Sequence, residues 1–339
     1  MPIPEFSIID LLRDSDASFS RAGIVLGIGD DAAVMQVPEG QLLVASMDVL
    51  VADRHFPVSA PANRIAHRAL AVNLSDLAAM AAEPFCFTLG LTLPESDPDW
   101  ISQFIAGLSD TARENNCPLV GGDIASGPLS ITIQVQGLVE PNSKLLRSGA
   151  QIGDKIYVTG TLGDAAVALL YAGIDTHLGA DVQLAAEART DSATARYCEA
   201  RYYEPASRVA FAQGIAGIAS AAIDISDGIM GDVEHLAQAS GAKAQVDLDR
   251  LPRSRQLQES IADPWHQILL AACGGDDYEL LFTVAEENIP ALEAIAQEQG
   301  VAITCVGQML TGSGIETSSI LSGDNKIHPK AFQHFDDRP

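Results

Sequence analysis

Positive charge is scarce in this chain. Its 339 residues carry 20 Lys and Arg against 45 Asp and Glu, a formal net charge of −25. Phosphate backbones and anionic lipid surfaces need a basic face, so this balance argues against general nucleic-acid or membrane-surface binding. It leaves nucleotide binding open, because a divalent cation can bridge carboxylates to phosphates. Part of the acidity serves solubility, and adaptation to salt would give the same bias. Cysteine is also thin: Cys86, Cys117, Cys198, Cys273 and Cys305 are odd in number, widely spaced and without a CxxC pair. That argues against a disulfide framework and for reduced, mostly buried thiols in a cytoplasmic protein. The opening Met1-Pro2-Ile3-Pro4-Glu5 lacks a basic region followed by an apolar run, so no secretory signal is expected. No apolar run of about 18 residues is free of charges or breakers, so no membrane span is expected. Both GxxxxGK[ST] and GxGxxG are absent, and no His/Cys grouping points to zinc.

What is present is an apolar fraction of 47% in a chain long enough for two domains. The Pro- and Gly-bearing segment 140–154 places their boundary, giving domains 1–148 and 149–339. Leu26-Gly27-Ile28-Gly29-Asp30-Asp31-Ala32-Ala33 sets two carboxylates directly after alternate glycines. An exposed turn, a helix N-terminus or a bound cation would each account for them.

A short helix within 5–20 carries Phe6, Ile8, Ile9, Leu11 and Leu12. Ala32–Val37 and Gln41–Met47 read as strands of a hairpin around Pro38-Glu39-Gly40, the second ending at Asp48. Pro61 opens a helix over 62–72. It continues into Asn73-Leu74-Ser75-Asp76, a polar island in an apolar segment that needs partners. The island is either a helix break capped by Ser75 or Asp76, or a carboxylate facing a metal. Phe85–Leu93 is a strand, 98–115 a helix with Trp100, Phe104, Ile105 and Leu108 inward, Pro118–Val120 a short strand running into Gly121-Gly122-Asp123, and Ser130–Val139 a strand. Beyond the boundary, Lys155–Thr159 leads into Gly160-Thr161-Leu162-Gly163-Asp164 and a helix over 165–172, a generic anion-site pattern. An acidic excursion over 175–200 precedes a helix from Pro205 to about Gln213. Strands follow at Ala219–Ile225, 243–248, Leu280–Val284 and Ile303–Gly307, with helices at 229–240, 255–272 and 288–299 and a Gly/Ser-rich tail over 311–339.

Carboxylates recur at six stations: Asp30-Asp31, Asp48, Asp76, Asp123, Asp224 to Asp227, and Asp276-Asp277. Most fall where a strand gives way to a loop or helix, where ligand sites concentrate. If they converge, raised pKa values or cations must neutralise them. All-oxygen ligation points to Mg²⁺, with Mn²⁺ as a substitute, and several hard cations best serve phosphoryl transfer. Arg147 is either a surface ion-pair member or a phosphate contact.

At these residues the sequence resembles the thiamine-monophosphate kinases, a family within the aminoimidazole ribonucleotide synthetase and selenophosphate synthetase superfamily. The matching motifs are Gly27-Ile28-Gly29-Asp30-Asp31-Ala32, Ala71 to Met80, Gly121-Gly122-Asp123, Asp224-Ile225-Ser226-Asp227-Gly228 and Gly274 to Glu279, in family order over residues 5–335. The resemblance implies an N-terminal α/β dimerisation domain, a C-terminal α+β domain, and ATP with several Mg²⁺ ions between them. It implies a homodimeric kinase that converts thiamine monophosphate to thiamine diphosphate. Carried over residue by residue, it implies metal ligation by Asp30, Ser46, Met47, Asp48, Asp76, Asp123, Asp224 and Asp227. It further implies ATP contacts from Gly122, Asp123, Arg147 and Ser226, and substrate contacts from His55, Asp276 and Phe332. Read locally, His55 would instead cap loop backbone and Phe332 would cover a core edge, while Asp31 has no assigned role beyond a cap or support for Asp30. The chain departs from the family at Met47, where a hydroxyl residue is usual, at Ala81, where Gly is usual, and at Ile124. No residue looks like a dedicated base; Asp76, Asp123 and Arg147 would act through metal and phosphate contacts. Two other readings remain: a carbonyl-activating superfamily enzyme such as aminoimidazole ribonucleotide synthetase, and a non-catalytic Mg-nucleotide sensor.

Overall fold

Parallel strands in one sheet require crossovers of a dozen or more residues, and the N-terminal half supplies two of them. The structure is a computed structural model that describes residues 3–174, 178, 182–190 and 192–320. It divides into two units between Lys144 and Leu145. In the first, α1 (Glu5–Arg13), β1 (Ile24–Leu26) and β2 (Val34–Met35) precede β3 (Leu42–Val51), α2 (Ala62–Ala79), β4 (Glu83–Leu93), α3 (Pro98–Glu114), β5 (Leu119–Ser126) and β6 (Ser130–Val139). The sheet order is β3-β6-β4-β5. β6 runs antiparallel to β3 and β4, and β4 runs parallel to β5. Helices α2 and α3 are therefore the crossovers of two successive βαβ units. Helix α2 lies on β3, β6 and β4, and α3 packs along α2. The two helices approach so closely at Gly107 that a Cβ there would overlap the Asn63 backbone.

The second unit carries β7 (Lys155–Thr159), α4 (Asp164–Tyr171), α5 (Ala193–Tyr203), α6 (Val209–Ile215), β8 (Ala219–Asp224), α7 (Ile229–Ser240), β9 (Lys243–Asp247), α8 (Arg255–Ser260), α9 (Pro264–Cys273), β10 (Leu280–Val284), α10 (Ile289–Gln299), β11 (Ile303–Leu310) and β12 (Gly314–Ser318). Its six strands run β12-β9-β11-β7-β10-β8, antiparallel except for β12 beside β9. Ile156, Val158, Ile223, Leu281 and Val306 of this sheet share a core with Val233 and Leu236 of α7 and Ile268 of α9. Fold class thus matches expectation in both halves: mixed α/β first, α+β second. No described helix is long and apolar enough to cross a membrane. All five cysteines are free. Burial pushes the Cys86 and Cys198 thiols up to about 12, which leaves them protonated and unreactive.

Several local expectations are corrected. Strand β2 is two residues long and pairs with β1, not with β3. Ile24 and Ala33 thereby pack on Phe85, Cys86, Val120 and Leu138. Strand β3 does not stop at Asp48, because β6 pairs with it residue by residue from Leu42 to Val51. The Gly-Gly-Asp motif lies inside β5 rather than beyond it. Gly122 faces Leu89 of β4 where a Cβ would overlap the Leu89 carbonyl, so the glycine is what lets the strand continue. Helix α2 is unbroken through Asn73–Asp76, since Asn73 Nδ2 donates to the Ala69 carbonyl at 2.9 Å and satisfies the polar island within the helix. The helix expected from Pro205 starts at Val209, residues 255–272 split into α8 and α9, and the tail contributes β12.

Ala81 shows what its departure from glycine costs. Helix α2 ends in a Schellman motif: Ala82 N–H donates to the Leu77 carbonyl and Ala81 N–H to the Ala78 carbonyl. The motif forces Ala81 to φ +54°, a left-handed conformation that a Cβ disfavours. Ala81→Gly should therefore raise unfolding free energy by about 0.5–1 kcal/mol, the relief of strain exceeding the added flexibility of the unfolded chain. Urea denaturation measures this, and an unchanged or lower midpoint would refute it.

Candidate functional site

Alternation along β3 decides which of its side chains meet α2. Ser46 and Asp48 point to the helix, and Met47 points away with its side chain 57% exposed. Ser46 Oγ donates to Asp76 Oδ2 at 2.6 Å, and Asp48 N–H donates to Asn73 Oδ1 at 3.1 Å. Strand and helix are thus tied by the polar island itself. Burial and the neighbouring Asp76 charge push Asp48 up to about 6, against the opposing pull of the buried Arg68 guanidinium. Two carboxylates and a hydroxyl therefore share one half-buried spot. Any contribution from Met47 to it must come from its backbone, because its thioether lies on the other face.

The other N-terminal stations are more open. Asp30 and Asp31 are exposed, and Asp30 Oδ1 accepts the Asp31 N–H at 2.9 Å, a local turn that leaves Asp31 with its side chain outward. Asp123 is exposed on β5 opposite Gly90. His55 Nδ1 accepts the Val51 N–H at 2.9 Å, so the backbone-capping role is realised.

In the second unit, β8 ends at the buried Asp224 and the chain turns through Ser226, Asp227 and Gly228 into α7. A second loop, 274–279, is laced to this turn: Asp276 N–H donates to the Ser226 carbonyl and Tyr278 N–H to the Ile225 carbonyl, each at 2.8 Å. Asp276 (φ +61°) and Tyr278 (φ +49°) both sit in the left-handed region, strain that the lacing sustains. Tyr278 Oη donates to Asp276 Oδ1 at 3.3 Å. Asp232, in the first turn of α7, was not singled out from sequence. A lone Asp there is the commonest partner of a helix dipole and carries no signal of its own. The structure buries it to 3% exposure. Burial, then the charges of Asp224 and Asp227, push it up to about 8, opposed by the Asp227 N–H that donates to it and by Arg147. The Arg147 guanidinium is exposed, its backbone held by Ser240 Oγ at 3.1 Å.

Beneath the second loop lies a charge network. Buried Glu279 accepts two hydrogen bonds from Arg208, at 2.6 and 2.8 Å, one from Arg201 at 2.8 Å and one from Thr159 Oγ1 at 2.5 Å. Asp277, pushed well above the carboxylate range by burial, accepts the Gly163 N–H at Oδ1, 2.8 Å away. The glycine turn before α4 was expected as a generic anion site. The group that fills it is the buried Asp277 carboxyl, and Asp164 is fully buried, hydrogen-bonded by Ser254 and Thr161.

The expected stations therefore gather in part. Ser46, Asp48 and Asp76 meet in the first unit, and Asp224, Asp227 and Arg147 surround the unforeseen Asp232 in the second. Among the described residues, no three His, Cys, Asp or Glu side chains converge closely enough to hold a metal alone. Mg²⁺ does not ask for that: it takes one or two carboxylates and completes its octahedron with water and phosphate oxygens. The donor set is all oxygen, and Asp232 Oδ2 is buried with no hydrogen-bond partner. Both features fit such an ion. Phe332 lies outside the described residues.

Comparison with known proteins places this architecture. The N-terminal domain model of AIR synthase related proteins matches residues 29–139, and the C-terminal domain model of the same proteins matches residues 151–318. Thiamine-monophosphate kinase of Salmonella typhimurium is 44% identical over 310 residues, 91% of each chain. The crystal structure of thiamine-monophosphate kinase from Stenotrophomonas maltophilia K279a superposes with a TM-score of 0.83 at 39% identity, covering 94% of this chain and 98% of that one. AaThiL complexed with AMPPCP and TMP gives 0.73 at 28% identity, covering 98% and 97%. Matched along nine-tenths of its length and in both domains, the chain belongs to the thiamine-monophosphate kinase family of AIR synthase related proteins.

Proposed function

We propose that this chain catalyses ATP-dependent phosphorylation of thiamine monophosphate to thiamine diphosphate by direct, Mg²⁺-assisted transfer. The observation that carries the reading is the likeness to AaThiL in complex with AMPPCP, an ATP analogue, and TMP, because it spans 98% of this chain. A carbonyl-activating synthetase is less favoured, since the full-length relatives at 44% to 38% identity bear the kinase name.

The chemistry needs little proton handling. The attacking group is a phosphate oxygen whose second pKa is about 6, so it is already ionised near neutrality and no base is required. The barrier lies in bringing two polyanions together, and it falls through positioning and charge neutralisation. In this reading Asp30, Asp48, Asp76, Asp123, Asp224 and Asp227 hold Mg²⁺, with Ser46 and the Met47 backbone beside them. Bound there, Mg²⁺ would bridge phosphate oxygens and offset charge on the transferring group. The Ser46–Asp76 hydrogen bond fixes one carboxylate's direction, and Asn73 fixes the Asp48 backbone. Arg147 offers an exposed planar fork to the ATP phosphates, and Gly122 and Ser226 approach the nucleotide with little side-chain bulk. Asp276, steadied by Tyr278, contacts the thiamine moiety together with His55 and Phe332.

We further propose a cytoplasmic homodimer joined through the first unit's sheet. On its outer face Leu43, Met47 and Val49 are each about half exposed, an apolar row that a second copy would cover.

Incubation with γ-labelled ATP and thiamine monophosphate should place the label on thiamine diphosphate. Asp76→Asn should lower kcat by about 100-fold or more and raise the Mg²⁺ requirement, with the circular dichroism spectrum retained. Near-wild-type turnover at limiting Mg²⁺ would refute its role. Arg147→Ala should raise KM for ATP by about 10- to 100-fold, the loss of a charged hydrogen-bonding fork, while Tm moves by no more than about 2 °C. Steady-state kinetics and calorimetry separate the two. Val49→Glu should convert the dimer to monomer in light scattering; an unchanged mass would place the interface elsewhere.

A further inference from the structure

We propose that Asp232 is a further cation-site carboxylate of the second unit, acting on a divalent ion through one of the ion's bound waters. The proposal deepens the reading above and rests on it only for the use of divalent cations. Aspartates in the first turn of a helix are ordinarily exposed and satisfied by the helix dipole and water. Asp232 is instead 3% exposed, and its Oδ2 has no hydrogen-bond partner. Buried carboxylate oxygens in native proteins are paired, so an orphan calls for a reason. The other carboxylate interaction, with the Asp227 N–H, is a backbone cap that a neutral Asn or Ser would make as well without burying a charge.

The surroundings point to a cation rather than a cap. Asp224, 5% exposed at the end of β8, and Asp227, in the turn between β8 and α7, are the carboxylates that act on Asp232, and the exposed Arg147 opposes them. A hydrogen-bond donor could satisfy Oδ2 but would leave the carboxyl groups of Asp224, Asp227 and Asp232 crowded together. A divalent ion relieves all three. Among the described residues no three carboxylates converge on one point, which suits an ion that takes Asp224 and Asp227 directly and Asp232 through a water.

Mn²⁺ binding followed by electron paramagnetic resonance on the full chain with AMPPCP tests this. Asp232→Asn keeps size and cap, and should weaken one class of Mn²⁺ sites by about 10- to 100-fold, the range for a residue that orients a metal's ligands. In EDTA its Tm should equal or exceed wild type, since no hydrogen bond to Oδ2 is lost. Glu234→Gln, exposed on the same helix, should leave Mn²⁺ binding unchanged. Iron-directed hydroxyl-radical cleavage of the wild-type chain, read by mass spectrometry, should cut within residues 224–232 and needs no variant to fold. Unaltered Mn²⁺ affinity in Asp232→Asn, a lower Tm in EDTA with intact binding, or absence of cleavage in that segment would each overturn the proposal. Failure of the thiamine monophosphate assay alongside a lost Mn²⁺ class would sink the kinase reading and leave Asp232 standing.

Discussion

Carboxylates held out of water beside other carboxylates are the constraint on which this structure turns. Asp48 lies beside Asp76, and Asp232 beside Asp224 and Asp227, with Arg68 and Arg147 as the opposing cations. Nothing in a stability argument favours such groupings: a buried anion without a close partner costs several kcal/mol, and a like neighbour adds to the cost. They are sustained because each sits on rigid backbone. Asp48 is in the middle of a strand paired over ten residues, Asp76 is in an unbroken helix, and Asp224 closes a strand. Preorganised negative charge of this kind binds a hard cation without reorganising when the ion arrives.

Glu279, at the end of the loop laced to the Asp224–Asp227 turn, shows the opposite solution. Glu279 is as buried as Asp232, yet two guanidiniums and a threonine hydroxyl meet it, and Asp277 closes the turn before α4 by accepting its N–H. These groups anchor. They pin the loop at Asp277 and Glu279, on either side of Tyr278, so the strain of the left-handed Asp276 and Tyr278 has something to push against. One stretch, Asp276 to Glu279, thus alternates between half-buried residues and buried ones that hold the structure.

Much of this was legible in the sequence. The strands Ser130–Val139, Lys155–Thr159 and Leu280–Val284 appear with their expected limits, and the motif order identified the family. What was not legible depends on long-range pairing. That β3 runs past Asp48 depends on β6, more than eighty residues later in the chain. That Gly122 lies within a strand depends on the Leu89 carbonyl. A glycine turn before a helix looks the same whether the acceptor that fills it is a ligand or the Asp277 carboxyl. Asp232 was invisible for the same reason: its meaning comes from the two carboxylates that tertiary structure sets beside it, not from its place in the helix.

Strand β3 brings these strands of argument to one element. Its inward residues Ser46 and Asp48 belong to the carboxylate site, and its outward residues Leu43, Met47 and Val49 form the apolar row. A slip of one residue would exchange the two sets, burying the apolar row against Asp76 and turning Asp48 to the outside. Ten consecutive pairings with β6 and the Ser46–Asp76 and Asp48–Asn73 hydrogen bonds all hold the same register. This explains why a thioether is tolerated where the family usually has a hydroxyl. At Met47 the side chain answers to the outer face, and the inner face takes only its backbone.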